Sequence, residues 1–220
     1  DTPTNTTDDS TDDDSTTVLD TDGDGVVDSV DQDNSTREGV PVDENGVMLN
    51  PIYLDENGYT IKSHDWGEVG DVGEIEGQWE FLIIDENELR ERIINGGDLY
   101  NVVTTKITNM DYLFFDIVNE ERYRNGGDVT GFDVSNVTSM EGTFKEHDDI
   151  GHLGHWDVSN VTNMSHLFES SNLYSSSEPN PYSLHNWDVS NVTDMSYMFS
   201  NVTQILSLIH ISEPTRQEAI

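Results

Sequence analysis

The 220-residue chain contains no cysteine, so disulfide frameworks and thiolate metal sites are excluded. Basic residues are scarce, 9 Lys and Arg against 45 Asp and Glu, for a formal net charge of −36. A field of that sign repels nucleic acid and anionic membrane, and it suits cations, basic partners or a saline environment. No apolar run is long enough to span a bilayer, so no transmembrane segment is expected. Catalytic signatures are also missing. There is no serine in a nucleophile elbow, no His-Glu-x-x-His and no phosphate loop. Paired carboxylates are common, but in so acidic a chain their proximity carries no information. The expectation is therefore a non-enzymatic protein. The chain opens at Asp1 and not at Met, so it reads as a fragment of a longer precursor and the lack of a signal peptide is uninformative.

What the sequence does have is repetition. Asp133-Val-Ser-Asn-Val-Thr-Ser-Met140-Glu-Gly-Thr-Phe144 recurs as Asp157-Val-Ser-Asn-Val-Thr-Asn-Met164-Ser-His-Leu-Phe168, and again as Asp188-Val-Ser-Asn-Val-Thr-Asp-Met195-Ser-Tyr-Met-Phe199. A weaker copy, Ile107-Thr-Asn-Met110-Asp-Tyr-Leu-Phe114, precedes them. The four methionines are spaced by 30, 24 and 31 residues. The shortest spacing lies in the range of roughly 20–29 residues of leucine-rich repeats, and the longer ones imply insertions. Val161, Met164 and Phe168 sit at i, i+3 and i+7, as do Val192, Met195 and Phe199, a spacing that predicts one apolar face of a short helix. Thr162 and Thr193 are its predicted N-caps, and Thr138 with Glu141 predicts a capping box. The aromatic before each Asp (Phe132, Trp156, Trp187) and the valine after it predict the inward face of a short strand.

These copies resemble the BspA-like leucine-rich-repeat surface proteins of bacteria, whose repeat reads W-D-V-S-N-V-T-x-M-x-x-M-F. Asn186-Trp187-Asp-Val-Ser-Asn-Val-Thr-Asp-Met-Ser-Tyr-Met-Phe199 fits throughout, whereas Ile107–Phe114 lacks the Asp-Val-Ser-Asn stretch. The resemblance covers about residues 52–203. It implies an α+β repeat protein, a leucine-rich-repeat-like solenoid, at a bacterial cell surface or secreted. The family is generally assigned adhesion or ligand binding and transfers no catalytic residue.

Ahead of the copies, residues 1–18 are mostly Asp, Ser and Thr and predict a disordered acidic spacer. Residues 19–50 contain Asp20-Thr-Asp22-Gly-Asp24-Gly25-Val26-Val-Asp28-Ser-Val-Asp31-Gln-Asp33. Oxygen ligands at positions 1, 3, 5, 9 and 12, a backbone carbonyl from Val26 at position 7 and glycine at 6 give the spacing of an EF-hand calcium loop. Asp31 stands where a bidentate Glu is usual, and the flanks lack helices. The alternative is one more acidic run. The stretch resembles a thrombospondin type 3 calcium repeat, including the ending Asp28, Asp31, Asp33. That resemblance implies Ca2+ held by Asp20, Asp22, Asp24, Val26, Asp28, Asp31 and Asp33, stiffening a linker.

Residues 51–102 predict a small α+β N-terminal cap. One hairpin pairs Ile52–Leu54 with Tyr59–Lys62 about Asn57-Gly58, and another pairs Val72–Ile75 with Gln78–Ile84 about Glu76-Gly77. Asp85 caps a helix over Glu86–Ile94, with Leu89 and Ile93 inward, and Asn95-Gly96-Gly97 ends it. Residues 103–204 form the repeats. Within 205–220, Leu206–Arg216 breaks the pattern and matches the conceptual translation of a common sequencing adapter, so it reads as artefact, a genuine tail being the alternative.

Other candidates have milder readings. His147, His152 and His155 lie near Asp148 and Asp149 in an insertion, where loop histidines are a simpler account than a zinc site. Trp156 and Trp187 could stack on sugars, but Phe132 shares their position and points to core packing. Tyr174, Tyr182 and His185 are candidate binding aromatics. Asn136, Asn160 and Asn191 read as turn residues bonding the backbone rather than as glycosylated sites. Asp133, Asp157 and Asp188 read as an acidic stripe or as turn residues. The expected partner is an unidentified extracellular protein or glycan met by a monomer. A passive spacer, or an accessory module of a secreted enzyme, is the alternative.

Overall fold

The computed structural model describes residues 18–77, 79–115, 129–147, 152–171 and 184–202. The acidic spacer (save Val18), Tyr174, Tyr182, Asp148, Asp149 and the adapter-like residues from 205 onward lie outside the described residues. The chain divides into two compact units, Asp1–Leu49 and Asn50–Ile220. Among its described residues the first unit has no helix or named strand. It is held by turns and by one antiparallel bridge, Val42 with Met48.

The second unit opens with β1 (Ile52–Leu54) and β2 (Ile61–Ser63), an antiparallel pair in the register Ile52 to Ser63. Next come β3 (Val72–Ile75) and β4 (Trp79–Ile83), antiparallel, with Ile75 opposite Trp79. Glu76 and Gly77 both take positive φ and turn the chain between them. Helix α1 (Glu86–Ile94) begins where Asp85 accepts the Glu88 N–H at 2.8 Å. The Glu88 side chain turns to Arg92 (2.7 Å), a half-buried i,i+4 pair worth about 0.3–0.5 kcal/mol. Beyond α1, β5 (Val102–Val103) returns parallel to β4. Leu89 and Ile93 on α1 join the same core as Met110 and Phe114, so the helix shields the first copy.

The repeats correct the sequence expectation. Among the described residues they contain neither helix nor strand, and all regular structure ends at Val103. A leucine-rich-repeat-like solenoid is therefore not what this chain forms. Each copy is a series of turns, joined to the next at single parallel bridges, Asn109 to Ser139, Ser139 to Asn163 and Asn163 to Asp194. The reason lies in where the amide hydrogens go. A helix would send each N–H to the carbonyl four residues back. Here Met110, Tyr112 and Phe114 send theirs to Ser139, Glu141 and Thr143 of the next copy at 2.7–3.2 Å, and later copies repeat the pattern. The alternation is kept by left-handed backbone at Tyr112, Gly142, His166 and Tyr197, with φ of 52°, 58°, 58° and 60°. Such a turn buries i, i+3 and i+7 as a helix would: Val161, Met164 and Phe168 are all buried.

The expected N-caps also act between copies. Thr138, Thr162 and Thr193 donate backbone N–H and hydroxyl to the Thr108, Thr138 and Thr162 carbonyls respectively. Asn136, Asn160 and Asn191 donate side-chain N–H to the Thr105, Ser135 and Ser159 carbonyls at 2.7–2.9 Å. Inside, Phe114, Phe144, Phe168 and Phe199 stack in a column with centroids 5.4, 5.9 and 5.6 Å apart. Trp156 and Trp187 are buried beside them, their indole N–H groups on the Val129 and Leu153 carbonyls.

Candidate metal centre and the exposed repeat face

In the first unit, Asp20, Asp22 and Asp24 bring one carboxylate oxygen each within 4.8 Å of one another. Their loop is shaped by its own carboxylates. Asp20 accepts the Gly23 and Gly25 N–H groups (2.8 and 3.1 Å), and Asp24 accepts that of Val26 (2.7 Å). Two carboxylate oxygens, Asp24 Oδ2 and Asp31 Oδ2, are buried with no hydrogen-bond partner. Asp24 carries the electrostatic strain. The Val26 N–H pulls its carboxyl down, but burial and the charges of Asp22, Asp31 and Asp20 outweigh it and hold the carboxyl above its usual value. An all-oxygen donor set with crowded negative charge suits a hard cation such as Ca2+. The orphaned oxygens of Asp24 and Asp31 are what such an ion would satisfy.

The remaining sequence-predicted ligands divide. Asp28 spends both oxygens on the Thr21 N–H and hydroxyl at 2.7 Å. Asp33 accepts the Ser35 N–H and hydroxyl (3.2 and 2.5 Å). Val26 lies in the loop through its N–H. Asp31 is seated against Gly46, where an added Cβ would come 1.9 Å from Oδ1 and where φ is +76°. Gly46→Ala is therefore expected to displace Asp31 and to weaken calcium binding about tenfold or more, one lost carboxylate contact being worth at least 1.4 kcal/mol. Calorimetric calcium titration of the full chain checks this. The Asp22 carboxylate also accepts the Thr36 N–H (2.8 Å), and the Thr36 hydroxyl donates to the Gly46 carbonyl (3.0 Å), so loop and following turn share one network.

In the second unit the left-handed positions form a row in which Tyr112 and Tyr197 are exposed, His166 is half-buried and Gly142 is buried. Tyr197 is 65% exposed and stacks on His166 at 5.1 Å. Tyr112 lies over Gly142, where a Cβ would meet its ring at 2.5 Å. Its hydroxyl donates to Glu141 at 2.6 Å, and that bond, with burial, pushes the phenol up to about 12. Glu169 beside the row accepts from Lys145 (2.8 Å) and His166 (2.7 Å), which hold it below the usual value. A bulky side chain at positive φ is uncommon outside glycine, asparagine and aspartate, so three aromatic rings there mark the row. Sequence reasoning passed over it. The signal was a glycine in one copy at the position held by Tyr or His in the others.

The other candidates fall into structural roles. Asp133, Asp157 and Asp188 each accept the N–H of the serine two residues on, at 3.0–3.1 Å, which makes them turn residues. The Ser190 hydroxyl and N–H hold Asp188 below its usual carboxyl value. His147 is buried among the Phe114 and Phe144 rings. His155 stacks on Tyr59, and His152 and His185 are exposed. Among the described residues no histidine joins a metal-competent cluster. Nor, among them, is any helix long and apolar enough to cross a membrane.

Fold and sites define an acidic two-unit chain, one unit a carboxylate loop, the other hydrogen-bonded repeat copies behind a small α+β cap. The chain belongs to the family described as "Mycoplasma protein of unknown function, DUF285", which matches residues 87–211, from within α1 through all four copies. No curated protein and no solved structure matches it.

Proposed function

We propose that this chain is a non-catalytic binding module of a secreted or cell-surface bacterial protein, in which calcium stiffens an acidic linker and the repeat copies present a face for adhesion or ligand binding. The observation that carries the reading is the Asp20, Asp22, Asp24 cluster with the partnerless buried oxygens of Asp24 and Asp31. Carboxylates so crowded repel one another without a cation. Extracellular modules with such loops bind calcium at roughly 10⁻⁴–10⁻³ M, a range filled outside cells. In this reading Asp20, Asp22, Asp24 and Asp31 hold the ion, which supplies fixed positive charge and ligand geometry. The partner is an extracellular protein or glycan, met by a monomer through the Tyr112, His166, Tyr197 row.

The test exposes the full chain to a panel of extracellular proteins and glycans, in calcium and in chelator, alongside the His166→Ala, Tyr197→Ala double variant. Retention on a ligand that the double variant loses supports the reading. Turnover of any glycan or peptide by the purified chain refutes its non-catalytic part. A passive-spacer role has its own support, because the recurring Thr, Asn and Asp side chains are spent on backbone groups. Absence of retention on every member of the panel favours that role, and retention unchanged in the double variant places binding away from the Tyr112, His166, Tyr197 row.

A further inference from the structure

The chain holds the pairs Asn45-Gly46, Asn57-Gly58, Asn95-Gly96 and Asn125-Gly126, the last outside the described residues. A glycine has no Cβ to shield its backbone nitrogen. That nitrogen can reach the side-chain carbonyl carbon of an asparagine before it, provided the carboxamide can swing over the joining peptide bond. Asn57 lacks that freedom. Its Oδ1 accepts the Tyr59 and Thr60 N–H groups and its Nδ2 donates to the Thr60 hydroxyl, all at 2.9 Å. The Gly58 N–H is spent on the Asp55 carbonyl at 2.9 Å. Asn45 is held over Asp43, whose carboxylate accepts its backbone N–H at 2.8 Å and its Nδ2 at 3.5 Å. Gly46 behind it is buried, with its N–H on the Asp43 carbonyl at 3.2 Å.

Asn95 differs from both. It is the C-cap of α1, with its backbone N–H on the Glu91 carbonyl at 2.9 Å. The residue is exposed, and its side chain makes no hydrogen bond among the described residues. The Gly96 N–H reaches the Ile93 carbonyl at 3.4 Å, a longer bond than those of Gly58 and Gly46. We infer that Asn95 is a site of spontaneous deamidation in the folded protein, whereas Asn45 and Asn57 are protected. The Gly96 nitrogen gives up its proton to a base in the solvent and bonds to Asn95 Cγ. The carboxamide nitrogen takes up a proton and leaves as ammonia, which closes a succinimide ring. Water then opens that ring. Cleavage between nitrogen and Cγ leaves aspartate. Cleavage between nitrogen and the backbone carbonyl carbon leaves isoaspartate, with the main chain rerouted through Cβ and Cγ. By either route one water is consumed and one ammonia released.

Both products act on α1. The new carboxylate lies at the C-terminal end of the helix, where the last carbonyls already carry partial negative charge. Isoaspartate also lengthens the chain between α1 and Gly97, whose N–H closes the helix on the Arg92 carbonyl at 2.6 Å. Ile93, in that last turn, is buried in the core that holds Met110 and Phe114, so a change at the cap reaches the first copy.

The experiment holds the full chain at mildly alkaline pH, folded and in urea, digests samples with trypsin at intervals and follows each asparagine by mass spectrometry. Asn95 falls in the peptide 93–106, and Asn45 and Asn57 fall in 38–62, where fragment ions separate them. In the folded chain Asn95 is expected to convert about tenfold or more faster than Asn57, a ratio that one or two of the hydrogen bonds holding Asn57 supply. In urea the three are expected to convert at similar rates, because they share the same dipeptide. The inference is overturned if Asn45 or Asn57 converts as fast as Asn95 in the folded chain, or if Asn95 stays intact there while it converts in urea. It is equally overturned if Asn95 keeps its lead in urea, since the neighbouring sequence and not the fold would then set the order.

Discussion

Phe144→Ala is expected to lower the stability of the second unit by about 3–5 kcal/mol. Phe144 is fully buried, near-parallel to Phe114 on one side and Phe168 on the other, and it touches the Trp156 ring. Removing the ring takes away its apolar burial and leaves a gap between layers. Those layers are fixed in spacing by the N–H of Phe114 to the Thr143 carbonyl and of Phe144 to the Leu167 carbonyl, so they do not close over it. Phe144→Leu refills part of the space and loses less. The urea midpoint of the unit reports both changes. A loss under about 1 kcal/mol for the alanine variant would mean that the column is not the core.

The second large effect is expected from a change of almost no volume. Thr104 is fully buried. Its hydroxyl donates to the Asp133 carbonyl at 3.0 Å and accepts the Asp133 N–H at 2.8 Å. One oxygen thus satisfies both main-chain groups of a buried residue 29 positions away. Thr104→Val keeps the shape and removes the oxygen, stranding both groups at roughly 1–3 kcal/mol each. Thr104→Ser keeps the hydroxyl and loses only a methyl, about 1 kcal/mol. Denaturation of the three proteins side by side separates polar satisfaction from packing. A loss in Ser with little or none in Val would assign Thr104 a packing role alone.

The cap was legible because its signals are local. Asp85 as N-cap, Leu89 and Ile93 inward, Asn95 as C-cap and the turn at Glu76-Gly77 all follow from neighbours in sequence. The inward residues of the first three copies were legible for the same reason, whereas in the fourth Met195 is exposed and Val192 and Phe199 are half-buried. What was not legible is the backbone between them. An apolar i, i+3, i+7 spacing fits a helix, and it also fits a turn whose N–H groups point at the next copy. Only that copy, 24 to 31 residues on, decides between them. The left-handed residues Tyr112, His166 and Tyr197 were hidden because nothing in a tyrosine or histidine announces positive φ. In the carboxylate loop, spacing brought Asp20, Asp22 and Asp24 together. It could not tell that Asp28 would be taken by Thr21 and Asp33 by Ser35.

Calcium titration of the full chain by calorimetry, repeated with Asp24→Asn, tests the central claim most directly. Binding at roughly 10⁻⁴–10⁻³ M, weakened about tenfold or more in the variant, is the predicted result. Absence of binding at ten times that concentration, or equal binding by Asp24→Asn, would contradict a calcium-stiffened linker and leave the repeat copies to account for the function alone.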